Sequence, residues 1–277
     1  MPPLVRRSRP LLGTFVEIGL RGGNAAVFSQ AFEKVAQVHH RMSAHLADSD
    51  LAEIAREAHH GFVTVDAATA EVIRLSLEWA SRSDGAFDPV RAAVELIHAG
   101  RRPCFTDKPP DLTTTWRDLE LDGLQVRATR PLAIDLGGVA KGYAVDLAAE
   151  VIAAHGCSGI VNAGGDLRFI GSEARTVSLR RPDAEGALLE LREIPFLALA
   201  TTASYAFSEE GGNLDLIGSK PIGAGISITV FAENCALADA MTKAVLNLSA
   251  SQAARLLERM GCSALILEAD GCHRELP

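Results

Sequence analysis

The sequence has few aromatic residues, no closely spaced cysteine pair and no long apolar run. Aromatic residues make up only 5% of the 277 residues. The five cysteines include no Cys-x-x-Cys pair, which argues against a zinc knuckle, and their odd number does not favour a disulfide framework. The sequence contains no stretch of about 20 apolar residues, which is the length needed to span a bilayer. These absences favour a globular protein with free thiols in a reducing compartment.

The N-terminus also lacks the features of a secretory signal. Arg6 and Arg7 are not followed by an apolar segment, since Arg9, Pro10 and Gly13 interrupt it. From the sequence as given we expect a cytoplasmic protein, or a periplasmic one if a leader was removed.

An excess of positive charge is missing as well, because the formal net charge is −8. This balance does not favour DNA, RNA or anionic lipid as the main partner. A phosphorylated ligand would need local cations, supplied by a metal ion or by a few placed lysines.

Hydrophobic periodicity predicts a mixture of helices and strands. Strands are expected over 14–20, 132–136, 159–163, 226–232 and 263–269, a hairpin over 119–128, two or three strands within 176–201, and helices over 24–41, 49–58, 66–81, 90–99, 139–154, 235–248 and 251–260. Three prolines in 103–116 predict a loop and a possible subdomain seam near 101–117. We predict an α+β fold of antiparallel hairpins flanked by helices.

The segment 133–146, AIDLGGVAKGYAVD, is the most informative part of the sequence. It places Asp135, the pair Gly137-Gly138 and Lys141 where a predicted strand gives way to a helix. Backbone N–H groups at such a turn, together with one lysine, are suited to phosphate. The spacing matches neither a Walker A loop nor the dinucleotide fingerprint. A tight turn with Asp135 as a cap and Lys141 in solvent explains the same residues.

Two further segments could line a ligand cavity. Residues 83–89, SDGAFDP, place Phe87 beside Asp88 in a stiff turn that could frame a planar ligand. A helix C-cap with Phe87 in the core is the favoured alternative there. Residues 161–171, VNAGGDLRFIG, carry paired glycines that permit close backbone approach or form a β-bulge.

The helix predicted over 235–248 holds Asp239 among apolar residues. Thr242 and Lys243 follow at i+3 and i+4 and share its face. A carboxylate and a hydroxyl on one face suit Mg²⁺. A plain ion pair between Asp239 and Lys243 is the alternative.

The order of these motifs resembles one known family. LLGTFVEI, RMSAHLADSDLAEI, DGAFDPV, DLGGVAKGYAVD, VNAGGDLRFIG and CALADAMTKAV resemble the ApbE family of FAD:protein FMN transferases over nearly the whole chain. The resemblance implies one domain over 1–277 with a T-fold-like, two-subdomain α+β architecture. It implies FAD as substrate, a Mg²⁺ ion at the diphosphate, and a threonine or serine of an acceptor protein that attacks the FMN phosphate. A phosphoester then forms and AMP leaves. A weakly active or non-catalytic FAD-binding homologue, and an FAD pyrophosphatase, are the alternatives.

The resemblance also assigns roles to single positions. It implies FAD contacts at Leu12, His45, Ala86, Phe87, Asp88, Asp135 and Lys141, metal ligation by the Gly138 carbonyl, Asp239 and Thr242, and catalytic roles for Asp239 and Lys141.

The sequence departs from the family pattern at four places. Leu12 replaces a methionine and His45 an aromatic residue. Residues 211–221 lack a His-His-x-x-Asp-Pro motif, although Asp215 could serve there. The family's second metal side chain is a threonine four residues after the aspartate, where this sequence has Lys243. Either Thr242 takes the metal position, or Lys243 places its ammonium where the metal would lie.

Overall fold

The structure describes most of the chain. The computed structural model covers residues 2–172, 175–182, 187–204 and 225–277. Segment 211–221, including Asp215, therefore lies outside the described residues. Residues 103–115 form neither helix nor strand, as predicted. The division into two subdomains near 101–117 stays a prediction.

The helices follow the predicted pattern, with ends that agree to within one residue. The described residues contain α1 Ala25–Arg41, α2 Asp50–Glu57, α3 Ala67–Arg82, α4 Pro89–His98, α5 Ala140–Ala154, α6 Cys235–Asn247, α7 Ala250–Met260 and a short 3-10 helix, Trp116–Asp118. The predicted cap of α1 is confirmed, because the Asn24 side-chain oxygen accepts the N–H of Ala26 at 2.9 Å. That bond satisfies one of the donors left open at a helix start.

The strands form one large antiparallel sheet and two small ones. The described strands are β1 Val5–Leu11, β2 Thr14–Arg21, β3 Val63–Thr64, β4 Leu119–Asp122, β5 Gln125–Ala128, β6 Ser158–Ala163, β7 Asp166–Ile170, β8 Val177–Arg180, β9 Leu188–Leu191, β10 Ala198–Ser204, β11 Ile226–Ala232, β12 Ser263–Glu268 and β13 His273–Leu276. The large sheet has the order β1-β2-β6-β7-β10-β11-β12-β13, and the small sheets are β3-β5-β4 and β8-β9.

The inner strands of the large sheet contribute to a hydrophobic cluster on each face. Alternate residues of a strand point to opposite sides. Val161 of β6 and Val230 of β11 join the main core, in which α5 and α6 pack on the sheet and α1 packs on α5. Their neighbours Ile160 and Phe231 belong to a second cluster on the other face, to which β8 and β9 contribute. The expected α+β architecture of antiparallel sheets flanked by helices is confirmed.

Residues 132–136 are an exception, since their apolar pattern predicts a strand that does not form. Ile134 is buried as in a strand, but its carbonyl accepts a hydrogen bond from the Arg102 guanidinium. The N–H of Asp135 donates to the Pro89 carbonyl at 2.9 Å. The strand prediction is wrong here, because side-chain and loop partners satisfy this buried backbone without a neighbouring strand.

The two edge strands of the large sheet, β1 and β13, were not evident from hydrophobic pattern. Strand β1 pairs with β2 from Val5 opposite Leu20 to Leu11 opposite Thr14. It is largely exposed and contains three arginines and Pro10. An edge strand tolerates proline because one side of its backbone has no strand partner.

The start of α6 is closed by a buried carboxylate from α5. One oxygen of Asp146 accepts the N–H of Cys235 at 2.9 Å and the other accepts the N–H of Ala236, also at 2.9 Å. Asn234 accepts the N–H of Leu237 at 2.9 Å. The first-turn donors of α6 are therefore satisfied inside the protein, and α5 and α6 are tied together.

Helices α5 and α6 approach most closely at Gly142. A Cβ atom added there would lie 2.3 Å from the carbonyl oxygen of Cys235 and 2.8 Å from the Cα of Ala236. Backbone atoms cannot move aside as a flexible side chain can. Only glycine therefore allows the two helices to meet in this way.

Replacing Gly142 with alanine is expected to lower the free energy of unfolding, measured by urea denaturation. Alanine would gain about 1 kcal/mol of helix propensity, but overpacking typically costs about 1–3 kcal/mol and more against backbone. We expect a net loss of at least about 1 kcal/mol. Gly61→Ala is the matched control, because no atom lies within 4 Å of its added Cβ, and it should change stability by less than about 0.5 kcal/mol. A stabilised Gly142→Ala protein would contradict the close approach.

Candidate functional site

A cavity of about 1340 Å³ lies where several loops and helix ends meet. It is lined by the β1–β2 turn, residues 42–46 after α1, the loop between α3 and α4, the glycine turn before α5, the β6–β7 turn and parts of β10, α6 and α7. Pockets for drug-sized molecules span about 300–1,000 Å³. This cavity is large enough for a longer ligand such as a dinucleotide.

Most of the residues predicted to contact a ligand line this cavity. They are Leu12, His45, Ala86, Phe87, Asp88, Asp135, Gly138 and Lys141. The two predicted metal side chains, Asp239 and Thr242, are fully buried behind the lining. The structure thus brings together segments that are far apart in the sequence, and their individual roles stay predictions.

Segment 83–89 is both a helix end with Phe87 in the core and part of the cavity wall. Ser83 ends α3 and Phe87 is buried at 5% exposure, yet Phe87 also forms part of the cavity lining. Asp88 caps α4, since its Oδ1 accepts the N–H groups of Val90 and Arg91 at 3.0 Å each. Burial raises the pKa of Asp88 above its usual value despite these bonds. The carboxylate therefore has a structural task whatever ligand binds.

Asp135 is held in place from two sides. Its Oδ1 accepts the N–H of Gly137 at 2.7 Å, and its Oδ2 lies 3.5 Å from the guanidinium of Arg102. Arg102 is itself buried and also donates to the Ile134 carbonyl. The half-buried carboxylate is thus fixed at the cavity surface, where it can accept hydrogen bonds from a ligand.

The start of α5 points to an anion site in the same cavity. Val139 occupies the N-cap position, and its side chain has no oxygen that could accept from the first turn. The N–H of Ala140 donates to the Leu136 carbonyl at 2.7 Å, so the donors open to a ligand are those that follow Ala140. Gly137, Gly138, Ala140 and Lys141 around this start line the cavity. Free donors and the positive end of the helix dipole attract phosphate or carboxylate groups. The start of α6, by contrast, is closed by Asp146, so of these two helix starts that of α5 is the candidate anion site.

Among the lining residues that the structure describes, basic side chains outnumber acidic ones, although the protein as a whole is acidic. The lining contains Arg91, Lys141, Lys243, Arg255 and Arg259, but only Asp84, Asp88 and Asp135. This local excess of positive charge is the property that an anionic ligand requires in a chain of net charge −8.

Two lysines and two buried aspartates form a charged cluster at the cavity floor. The Lys141 ammonium donates to Asp166, and at 3.3 Å to Oδ2 of Asp239. The Lys243 ammonium donates to Oδ1 of Asp239 at 3.2 Å. The side chains of both aspartates are only 1% exposed, while both lysines line the cavity. The i, i+4 ion pair of Asp239 with Lys243, which was the alternative to a metal site, is therefore present, and Lys141 is not a solvated side chain.

The cluster shifts the pKa values of its members in opposite directions. Burial, and then the charge of Asp239, raises the pKa of Asp166. Burial alone would raise the pKa of Asp239, but Lys141 and Lys243 outweigh it and hold that pKa below the usual value. Burial alone would lower the pKa of Lys141, but Asp166 and Asp239 raise it. Asp239 is thus an ionised partner of two ammonium groups and a poor general base.

Thr242 is engaged away from the cavity. Its hydroxyl donates to the main-chain carbonyl of Asp239 at 2.7 Å and lies 2.8 Å from the hydroxyl of Thr202 on β10. The Lys243 ammonium donates to both hydroxyls, at 3.1 Å to that of Thr242. Lys243 therefore fills an oxygen cage made by Asp239, Thr202 and Thr242.

This donor set does not fit a magnesium ion. Both oxygens of Asp239 already accept hydrogen bonds from ammonium groups. An ion bound there would lie a few ångströms from both ammonium nitrogens, and two unit charges about 4 Å apart repel by about 4 kcal/mol at an effective dielectric constant of about 20. Within the described ranges, no three His, Cys, Asp or Glu side chains are placed to hold a metal.

Sequence reasoning did not assign a role to three of these residues. Asp166 was visible within the NAGGD motif, but its contact with Lys141 spans 25 positions. No sequence pattern indicated a role for Thr202 or Arg102, because each acts through a partner more than 30 positions away. Such contacts follow from the packing of the sheet against α5 and α6, which a local pattern does not contain.

Fold and cavity together define a class of protein: an α+β protein with a cavity large enough for a nucleotide and lined by several basic side chains. The ApbE family model matches residues 12–266. The chain belongs to the ApbE family.

Curated relatives and solved structures agree with this assignment. The chain is 30% identical over 229 residues to an FAD:protein FMN transferase of Rhodobacter capsulatus and 28% identical over 161 residues to one of Treponema pallidum. These matches cover 73% and 53% of this chain. They span only 42% and 44% of the length of those relatives.

Three solved structures share the fold over almost the whole chain. The ApbE protein of Thermotoga maritima has a TM-score of 0.80 at 24% identity, covering 99% of this chain and 97% of its own. The flavin transferase ApbE of Vibrio cholerae has a TM-score of 0.80 at 21% identity, with the same coverage of both chains. The Pseudomonas stutzeri flavinyl transferase ApbE has a TM-score of 0.80 at 20% identity and covers 99% and 94%. At these identities the likeness shows the fold.

Among the described residues, no helix combines the length and the apolar character that crossing a bilayer requires.

Proposed function

We propose that this chain is an FAD:protein FMN transferase, the activity for which its two curated relatives are named. In the proposed reaction, the hydroxyl oxygen of a threonine or serine on an acceptor protein attacks the FMN phosphorus of FAD. A phosphoester forms and the diphosphate bond breaks. AMP leaves with the electron pair of that bond, and the hydroxyl proton passes to water.

The observation that carries the proposal is the position of Lys141. Its ammonium lies in the lining of the cavity, next to the uncapped first turn of α5. Among the described residues it has two acceptors, Asp166 and Asp239, which leaves one of its three N–H groups for a ligand. A lysine fixed in this way can donate to a phosphoryl oxygen and stabilise the charge that builds up there.

Other lining residues would bind and orient the rest of FAD. Phe87 offers an aromatic surface to a planar ring. Asp135, held by Arg102 and by the N–H of Gly137, would accept hydrogen bonds from a ribose or a ring. The magnesium dependence that the resemblance implies is not part of this proposal, because the oxygens of Asp239 are engaged by lysines. That dependence, with Gly138, Asp239 and Thr242 as ligands, is the alternative for experiment to decide.

Incubation with FAD and a threonine-containing acceptor tests the transferase directly. We expect the acceptor to gain the mass of one FMN group and covalent fluorescence, with an equal amount of AMP released. Replacing the acceptor threonine with valine should prevent the attachment of FMN and the release of AMP. The reaction is run with magnesium and with EDTA.

Two other outcomes would contradict the proposal. Release of FMN and AMP without any acceptor would show an FAD pyrophosphatase, in which water replaces the protein hydroxyl. Tight FAD binding without transfer to the acceptor would show a flavin-binding protein.

A further inference from the structure

We propose that Lys243 takes the place of a metal ion, so that a tethered ammonium supplies the fixed positive charge beside the diphosphate. This inference rests on the proposed function for its ligand, FAD. It concerns the identity of the cation, which can be measured without any transfer reaction.

The geometry around the Lys243 nitrogen is that of an occupied cation site. Its three N–H groups face three oxygen acceptors, which are Oδ1 of Asp239 at 3.2 Å, the hydroxyl of Thr242 at 3.1 Å and the hydroxyl of Thr202. One carboxylate and two hydroxyls are hard oxygen donors of the kind that magnesium binds. In this chain the ammonium satisfies all three of them.

The aliphatic part of Lys243 is also held in place. A Cβ atom added to Gly138 would lie 3.1 Å from the Cγ of Lys243 and 3.5 Å from the ring of Phe87. The lysine stem thus passes close over Gly138, whose carbonyl the resemblance implies as a metal ligand. A side chain packed against this turn is restrained from swinging away to admit an ion.

The charge balance of the cluster points the same way. Lys141 and Lys243 carry two positive charges, opposite the ionised Asp239 and Asp166, whose pKa burial raises to about 7 so that it is partly protonated near neutral pH. The two ammonium groups therefore match or exceed the negative charge of the cluster, which needs no added cation. Lys141 and Lys243 reach the cavity while Asp239 is fully buried, so a diphosphate at this end of the cavity would meet the two ammonium groups before it met the carboxylate of Asp239.

Manganese binding, followed by electron paramagnetic resonance, tests the proposal on the whole protein. We expect no saturable Mn²⁺ binding by the unaltered protein, either alone or with FAD, after subtraction of the Mn²⁺ held by free FAD. Lys243→Thr should free the oxygen cage and bind Mn²⁺ at least about tenfold more tightly. Lys34→Thr, which changes an exposed lysine on α1, is the matched control and should behave like the unaltered protein.

FAD affinity measured by flavin fluorescence provides the second test. The affinity of the unaltered protein should be the same with EDTA as with magnesium. Lys243→Met keeps the packed stem but removes the charge, and we expect its affinity in EDTA to fall by about tenfold or more, because a positive charge close to the diphosphate is lost while Asp239 stays ionised. Thermal melting checks that each variant is folded. The Mn²⁺ titration of the unaltered protein tests the proposal even if a variant fails to fold.

Stoichiometric Mn²⁺ binding by the unaltered protein, or loss of FAD affinity in EDTA, would overturn the proposal. So would an unchanged FAD affinity in Lys243→Met. A protein that binds no FAD under any condition would instead refute the proposed function, while the Mn²⁺ titrations would still decide whether Lys243 replaces a metal.

Discussion

Asp146→Ala is expected to lower the free energy of unfolding by about 3 kcal/mol. Asp146 accepts the N–H groups of Cys235 and Ala236 and pairs with the Arg168 guanidinium. Alanine would leave two buried N–H donors and one cation without their partner. Removing one member of a buried ion pair typically costs about 3–5 kcal/mol. We expect the lower end of this range because the Arg168 side chain is 21% exposed, so water can partly hydrate its charge when Asp146 is removed.

Urea denaturation at neutral pH measures this effect. Asp146→Asn should be less destabilising, since its amide oxygen can still accept one of the two N–H groups. Glu150→Ala is the matched control, because Glu150 is an exposed carboxylate on the same helix, α5. It should change stability by less than about 0.5 kcal/mol. Equal losses in Asp146→Ala and Glu150→Ala would show that the contact with α6 contributes little.

Asp146 also illustrates what the sequence could and could not predict. Its motif, AKGYAVD, marked this region as a candidate site, and periodicity predicted both helices that Asp146 joins. The partners of its carboxylate lie 89 and 90 positions away. A local pattern cannot show that contact, because it depends on how α5 and α6 pack on the large sheet.

Residues with local partners were predicted better. The helical spacing of Asp239 and Lys243 gave their ion pair as the alternative to a metal site, and the structure contains that ion pair. The same reasoning failed at 132–136, where a buried apolar run suggested a strand. There Arg102 satisfies the backbone carbonyl of Ile134 from a distant loop. Sequence patterns reported burial correctly in this segment but did not identify its hydrogen-bond partners.

Lys141→Met is expected to slow FMN transfer by about 10²–10³-fold, the usual effect of removing one donor that stabilises transition-state charge. The change also leaves Asp166 and Asp239 with Lys243 as the single ammonium group of the charged cluster. The extra negative charge at the cavity floor would repel the diphosphate, so we expect FAD affinity to fall as well. Initial rates of covalent flavin fluorescence on the acceptor, at saturating FAD, separate the loss in rate from the loss in affinity.

Two variants distinguish the role of the Lys141 charge from a general effect. Lys34→Met removes an exposed lysine from α1 and should leave rate and affinity unchanged. Lys141→Arg keeps the positive charge but replaces the compact ammonium with a planar guanidinium, and it should retain part of the FAD affinity. Because Lys141 also pairs with two buried carboxylates, thermal melting must show that each variant is folded. If folded Lys141→Met transferred FMN at a rate within tenfold of the unaltered protein, Lys141 would serve to neutralise Asp166 and Asp239, and the charge on the transferred phosphate would have to be stabilised by the N–H groups of α5 and by Lys243.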